Sequence, residues 1–339
     1  MKLSIVIPTY NRNTTLAANL PSLLRQLTPE CELIIIDNAS TIPVAETLSQ
    51  AKLIEDQAPG RVTVMRNRLN IGGNANILRC HECGIGDWVW TIGDDDLVAD
   101  GAVDSVLGYL SAYPTAAFIN FHSVVSHVQR PKDYTTTGRL EFLYRMQQLT
   151  AITFMSVCVY RRSQIGSGLK YAYQFSYSSA PHVVLVLMAL RPDSICVFAT
   201  FEPIRQISVD CDQNQSYAEV PIALALPTLL YLPLRPEEKR ELKILLGRLA
   251  QVWLVRARLF RELLFNNAST GAEKRFSFLR LRRDFYSMNH TWKGSVENAI
   301  YGVMLWFPAT SLKLYRKVYG VLKHGRVIAQ RVTSADERL

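Results

Sequence analysis

The chain has 339 residues, 48% apolar and 20% charged, which is enough for a buried core and too apolar for a disordered chain. No apolar run reaches the ~20 residues that span a bilayer, and "VPIALALPTLLYLPL" is interrupted by Pro227 and Pro233, so no membrane span is expected. The net charge of +9 is uneven: residues 1–234 hold 17 Lys and Arg against 20 Asp and Glu, whereas residues 235–339 hold 21 against 9.

A basic half of this kind is attracted to an anionic membrane surface or to nucleic acid, and a solvated helical face is the third reading. No nucleic-acid-binding motif accompanies the charge, so nucleic acid is not expected as a partner. Six cysteines stand at 31, 80, 83, 158, 196 and 211. Only Cys80 and Cys83 are close, without a second pair at ligand spacing, which argues against a zinc module and for reduced thiols. "MKLSIVIPTY" lacks the long apolar segment and cleavage site of a signal peptide, so a cytoplasmic location is expected.

"LSIVIPTY" is a continuous apolar run with β-branched residues, as in a strand buried on both faces. Leucines 16, 20, 23, 24 and 27 in "TTLAANLPSLLRQL" then recur at helical spacing. "CELIIIDNAS" is a second buried strand, and the shorter, more polar "RVTVMRN" a third strand nearer an edge. "NIGGNANILRCHECG" reads as a loop entering a helix, stopped by Gly84 at the C′ position. "DWVWTIG" is a fourth strand, followed by the helical "GAVDSVLGYLSAY". Four alternations of strand and helix imply a mostly parallel sheet covered on both faces.

Beyond residue 117 the pattern loosens. "AAFINF" and "FMSVCVYRR" read as strands, "SSAPHVVLVLMAL" as a helix, and "GSGLKYAYQFSYSS" as a surface loop. Past Pro236 long basic amphipathic helices begin, and a boundary is expected near 220–236, where Pro221, Pro227, Pro233 and Pro236 cluster.

In an open parallel sheet ligands bind beyond the carboxyl ends of the strands, where strand order reverses. Three polar clusters fall at such ends: "TYNR" after the first strand, "DNAS" after the second and "GDDD" after the fourth. The turn after the first strand holds no glycine and no P-loop occurs, which disfavours ordinary dinucleotide binding. Three adjacent carboxylates, Asp94, Asp95 and Asp96, repel one another, and a divalent cation with oxygen ligands, Mg²⁺ or Mn²⁺, would relieve that repulsion. A solvated acidic turn leading into a helix cap is the alternative.

Taken together, "SIVIPTYNR", "LIIIDNAS", "NIGGNAN" and "WTIGDDDLVADGAV" resemble family 2 glycosyltransferases of the GT-A fold. The "GDDDLV" form resembles the abequosyltransferase-like enzymes that build bacterial O-antigen and capsule. The resemblance covers residues 1–115 strongly and 115–220 weakly. It implies a GT-A domain over 1–220, with a nucleotide-sugar half (1–115) and an acceptor half (116–220), followed by a basic helical region at 235–330. Pro8, Thr9, Tyr10, Arg12, Asp37 and Asn38 would line the nucleoside pocket. Asn70, Gly72 and Asn74 would lie beside the donor, where backbone amides suit an anion. Asp94 would touch ribose or metal, while Asp95 and Asp96 would hold the metal against the diphosphate.

Two rival roles remain open. For Asp37 the alternative to nucleoside binding is a cap on the following helix. The family presents Glu-Asp at the start of a helix about ninety residues past the acidic cluster, and this chain departs from that pattern. It has His182 there, with Asp210 and Asp212 in "SVDCDQNQSY" as the other candidate bases. The reaction implied is inverting transfer of a sugar from a nucleotide-diphosphate donor to a hydroxyl of a saccharide acceptor, expected to be lipid-linked. Residues 237–330 would then touch the membrane. A non-catalytic nucleotide-sugar-binding module and a sugar nucleotidyltransferase are the alternatives; the second would want a Gly-rich turn after the first strand, which is missing.

Overall fold

The first two apolar runs of the chain become neighbouring interior strands of its sheet. The computed structural model describes residues 2–54, 61–123, 128–205, 219–251, 260, 263, 270–285 and 292–306. β1 (Leu3–Thr9) pairs in parallel with β2 (Cys31–Asp37), every residue of which is buried. α1 (Asn13–Leu24) links them and buries Leu16, Leu20 and Leu23 on one face. α2 (Val44–Gln50) leads to β3 (Arg61–Arg66), which pairs only with β2 and forms the edge its polar composition predicts. α3 (Gly73–Cys83) returns the chain to β4 (Trp88–Thr91), parallel to β1 on its other side. β1 therefore sits at the point where strand order reverses, which fixes the cleft above its carboxyl end.

The remaining strands make the sheet mixed. After the short β5 (Leu97–Val98) and α4 (Ala102–Ala112) come β6 (Ala116–Asn120), β7 (Tyr134–Thr137), α5 (Gly138–Arg145) and α6 (Thr150–Thr153). β8 (Cys158–Arg161), α7 (Arg162–Gln174), α8 (Pro181–Ala189), β9 (Ile195–Phe198) and β10 (Ile204–Arg205) follow. The eight-stranded sheet runs β3–β2–β1–β4–β8–β6–β9–β7, and β5 pairs with β10 separately. β8 is antiparallel to both neighbours, β4 and β6.

α8 carries apolar residues on all sides and is buried nearly throughout, as such a helix must be. The "GSGLKYAYQ" part of the expected loop is helical instead, forming most of α7. Its Ile165, Gly168 and Ala172 face inward, and a Cβ on Gly168 would lie 2.4 Å from the Leu185 carbonyl of α8. This glycine serves close helix packing, not turn flexibility. Gly84 does end α3, directly after Cys83, with an ordinary φ of −65°, and an added Cβ would meet Ser4 at 3.0 Å.

The chain forms two compact units, residues 1–217 with 225–249, and residues 218–224 with 250–339. The first thus takes in most of the helix Pro236–Gln251. Buried Glu238 there pairs with Arg139 of α5 at 3.1 Å, and Leu242, Leu245 and Leu246 are buried. Described parts of the second unit include the helices Gly271–Arg280, opened by a Thr270–Glu273 capping box, and Trp292–Trp306. Among the described residues no helix is long and apolar enough to cross a membrane, and Cys31, Cys80, Cys83, Cys158 and Cys196 are free thiols.

Gly168→Ala forces α7 and α8 apart and is expected to destabilise the fold by about 1–3 kcal/mol, the usual cost of overpacking. Denaturant midpoints compared with wild type check this, and an unchanged midpoint would refute the close-approach reading.

Candidate active site

The turn after β1 is built on strained backbone. Asn11 has φ 53° and Ala39, in the turn after β2, has φ 62°. Asn11 N–H donates to Ser40 Oγ at 2.9 Å, and Thr41 N–H donates to Asn11 Oδ1 at 2.7 Å, so the two turns are stitched together. The third strand-end cluster joins them through side chains. Thr9 Oγ1 donates to Asp94 Oδ2 at 2.7 Å, and one Arg12 nitrogen bonds both Asp94 Oδ1 at 3.1 Å and Asp95 Oδ2 at 2.7 Å. The "TYNR", "DNAS" and "GDDD" clusters therefore meet at one edge of the sheet.

The three carboxylates have different environments. Asp94 is buried, which raises its pKa, with the Thr9 hydroxyl and Arg12 pulling it back only in part. Burial pulls the Arg12 guanidinium down, but Asp94 and Asp95 outweigh it and leave the group above its ordinary value. Burial also pushes Asp96 up to about 7, against the hydrogen bond from Ser156 and with help from the Asp95 charge. Its Oδ2 accepts the Ser156 hydroxyl.

The expectation that all three share one ion needs correction. Among the described residues no group of three carboxylate, imidazole or thiol side chains converges in a way that would hold a metal. Asp94 is turned onto Thr9 and Arg12. Asp95 and Asp96 do fit such an ion, because both fold over the bare Cα of Gly93. A Cβ there would lie 2.6 Å from Asp96 Oδ2 and 3.0 Å from Asp95 Oδ1. One arginine cannot balance three carboxylates, and two oxygen ligands from the chain suit a hard cation that completes its shell with phosphate and water.

Asp37 has its carboxylate occupied. Oδ1 accepts from Ser40 N–H at 2.8 Å, and Oδ2 from Val44 N–H at 3.2 Å and from Arg66. Burial raises its pKa, but these bonds outweigh it and leave the group below its ordinary value. It is 1% exposed, so the capping alternative describes it and it does not line the pocket. Asn38 is also buried, within a lattice of amides. It donates to Asn70 Oδ1 at 2.8 Å and accepts from Asn67 at 2.9 Å, while Asn67 also donates to Asn76 Oδ1 at 2.9 Å. Ile71 and Gly72 N–H donate to Asn38 Oδ1 and Asn70 Oδ1, so neither amide is left for an anion. Asn74 Nδ2 donates to the Ser176 carbonyl at 2.7 Å. Pro8 is half-buried in β1, and Tyr10 is 44% exposed and accessible from the cleft. Sequence reading missed Arg66, Asn67, Asn76 and Ser156. The strand-end position of Arg66 and Asn67 was a usable signal; Ser156 had none.

Residues 4–164 match the glycosyl transferase family 2 model. The match covers a little under half of the chain and takes in the three strand-end clusters. An uncharacterized glycosyltransferase of Haemophilus influenzae is 29% identical over 134 residues, 40% of this chain and 43% of that protein. The abequosyltransferase RfbV of Salmonella typhimurium is 31% identical over 114 residues, 33% of each chain. The chain thus spans less than half the length of either curated relative. S. aureus TarS 1–349, solved in complex with UDP, superposes with a TM-score of 0.56 at 14% identity, covering 96% of this chain and 92% of that one. That likeness shows the GT-A fold.

His182, at the start of α8 and beyond the matched segment, does not face the cleft. It is 5% exposed, and its Nε2 donates to the Thr153 carbonyl at 2.9 Å. Burial holds its pKa down to about 4, against the pull of that carbonyl. A ring so enclosed does not reach an acceptor hydroxyl, which corrects its assignment as base. Asp210 and Asp212 lie outside the described residues.

His81 of α3 is buried too, edge-on to Tyr160 at 4.7 Å. Burial, reinforced by nearby His182, pushes it down to about 3. Both folded values lie below the ordinary 6.5, so the unfolded chain binds protons that the folded chain excludes. Their contribution to stability is complete above pH 6.5 and is lost as pH falls toward 4 and 3. His81→Leu removes one of the two rings. Between pH 6 and 4.5 its loss of stability should be smaller than wild type's by about 2 kcal/mol. Urea midpoints across that range measure it, and parallel curves would refute it.

Proposed function

We propose that the chain is an inverting glycosyltransferase of bacterial surface polysaccharide synthesis. It moves a sugar from a nucleoside-diphosphate donor to a hydroxyl of a saccharide acceptor carried on a lipid. The observation that carries this reading is the joining of the acidic loop after β4 to the turn after β1 through Thr9 and Arg12, at the strand-order reversal of a family 2 domain. That TarS is solved with UDP and that RfbV is an abequosyltransferase support the same reading.

The exposed Tyr10 ring offers a face for the nucleobase, and the Asn38–Asn67–Asn70–Asn76 lattice holds the loop at Ile71–Gly72 beside it. Arg12 holds Asp94 and Asp95 in place. Asp95 and Asp96 would hold Mg²⁺ or Mn²⁺, which when bound supplies Lewis-acid neutralisation of the leaving diphosphate. The acceptor oxygen forms its bond to the anomeric carbon as the bond to the β-phosphate oxygen breaks, that oxygen keeping the electron pair. The hydroxyl proton goes to a base, for which Asp210 and Asp212 are the remaining candidates. Fixed charge facing the leaving group is the largest contribution the site makes.

Purified chain offered UDP-, GDP-, CDP- and dTDP-sugars with Mn²⁺ should transfer or hydrolyse at least one. Asp96→Asn should lower that rate by about 100-fold or more while the far-ultraviolet circular dichroism stays that of wild type. Binding without turnover by wild type would favour the binding-module alternative and end the enzyme reading.

The second unit supports a peripheral contact with the cytoplasmic face of the membrane. Phe276 and Leu279 on one helix, and Val296, Ile300, Val303 and Trp306 on the other, are exposed. Arg275 lies over the Trp306 ring at 5.5 Å, and Arg280, Arg282 and Arg283 belong to the same stretch. Apolar side chains mixed with arginine on helices suit the headgroup boundary of an anionic bilayer. Full-length protein should float with vesicles containing phosphatidylglycerol and not with phosphatidylcholine alone. Ile300→Glu with Val303→Glu, at exposed positions, should abolish flotation. Equal behaviour of the two vesicle types or of the double variant would reject the contact.

A further inference from the structure

Ser156 lies in none of the motifs above, yet the fold puts it beneath the acidic loop. The antiparallel register pairs Trp88 with Arg161, Val89 with Tyr160 and Trp90 with Val159. Continued past the last pair, that register sets Ser156 opposite Gly93. Side-chain contacts follow from it: Gly93 N–H donates to Ser156 Oγ at 2.9 Å, and the hydroxyl donates to Asp96 Oδ2. The Ser156 carbonyl in turn accepts Trp90 Nε1 at 2.7 Å, which anchors the residue to β4. Ser156 is fully buried, so water does not substitute for it.

A serine hydroxyl has a single proton, and here it is committed to Asp96 while the oxygen accepts from Gly93. We propose that Ser156 is a positioning residue that locks the Asp96 carboxylate over Gly93 and thereby couples divalent-cation binding to nucleoside-diphosphate binding. This rests on the sugar-transfer reading of the acidic loop. Without the hydroxyl the carboxylate rotates about its Cβ–Cγ bond and leaves the spot at Gly93 that it shares with Asp95. A hydrogen bond to a carboxylate is stronger than one between neutral groups, and partners that orient a metal ligand govern affinity by about 10–100-fold.

The test titrates UDP, GDP, CDP and dTDP, each with and without Mn²⁺, into wild type, Ser156→Ala and Ser156→Cys by calorimetry. Circular dichroism establishes that each variant is folded. Wild type should bind one nucleotide more tightly with Mn²⁺. Ser156→Ala should weaken the Mn²⁺-supported affinity by about 10–100-fold and leave the metal-free affinity unchanged, with Ser156→Cys, of similar shape and a weaker donor, in between. If Ser156→Ala does not fold, Ser156→Cys decides alone by the same comparison. Mn²⁺-supported affinity equal to wild type, or equal weakening with and without metal, overturns the proposal. Failure of wild type to bind any of the four with Mn²⁺ overturns the reading of the loop itself, and this inference with it.

Discussion

Carboxylates packed at the carboxyl end of a buried strand are the constraint around which this domain is organised. At an effective dielectric near 20, two like charges about 5 Å apart repel by roughly 3 kcal/mol, so adjacent Asp94, Asp95 and Asp96 are tolerable only if the fold supplies compensation. It does so in two ways. Arg12, carried by the turn after β1, spans Asp94 and Asp95 with one nitrogen. Asp96 is turned the other way, half-buried and hydrogen-bonded to Ser156, with its pKa pushed up to about 7. The loop is thus left short of positive charge on the side where Asp95 and Asp96 approach Gly93.

That compensation requires the mixed sheet. The parallel half, β3–β2–β1–β4, delivers three polar turns to one edge, because parallel strands all end on the same side. The antiparallel β8 contributes from the opposite direction, bringing a residue that precedes the strand onto residues that follow β4. The site is therefore bounded by chain ends of both polarities. Rigid backing comes from α8, buried on all sides, and from α7 held close to it through Gly168. Four amides, Asn38, Asn67 and Asn76 buried and Asn70 exposed, do for the loop beside the cleft what Arg12 does for the acidic one. Asn38, Asn67, Asn70 and Asn76 satisfy one another and neighbouring backbone groups, which ties the loop to the end of β2.

The second unit answers to a different constraint. Its described helices expose large apolar side chains among arginines, an arrangement that is costly in water and favourable at a charged interface. The charge division along the chain has its counterpart in the two units, an almost neutral one and a basic one.

Much of the first unit was legible in the residues. Uninterrupted apolar runs mark strands buried on both faces, and their alternation with leucine-spaced helices implies the parallel sheet. Polar clusters at strand ends locate the cleft, because a period of hydrophobicity reports burial and its end reports the sheet edge. Local pattern says nothing about direction of pairing or about what lies across a gap of sixty residues. Ser156 beside Asp96 was decided only by the antiparallel register of β8. The burial of His182 and the capping role of Asp37 were decided by which neighbours closed over them. Gly- and Tyr-rich "GSGLKYAYQ" became a helix because α8 needed a partner that approached closely. A sequence encodes which side chains prefer to be buried, while the number and chemistry of groups that meet at one point are set by tertiary contacts.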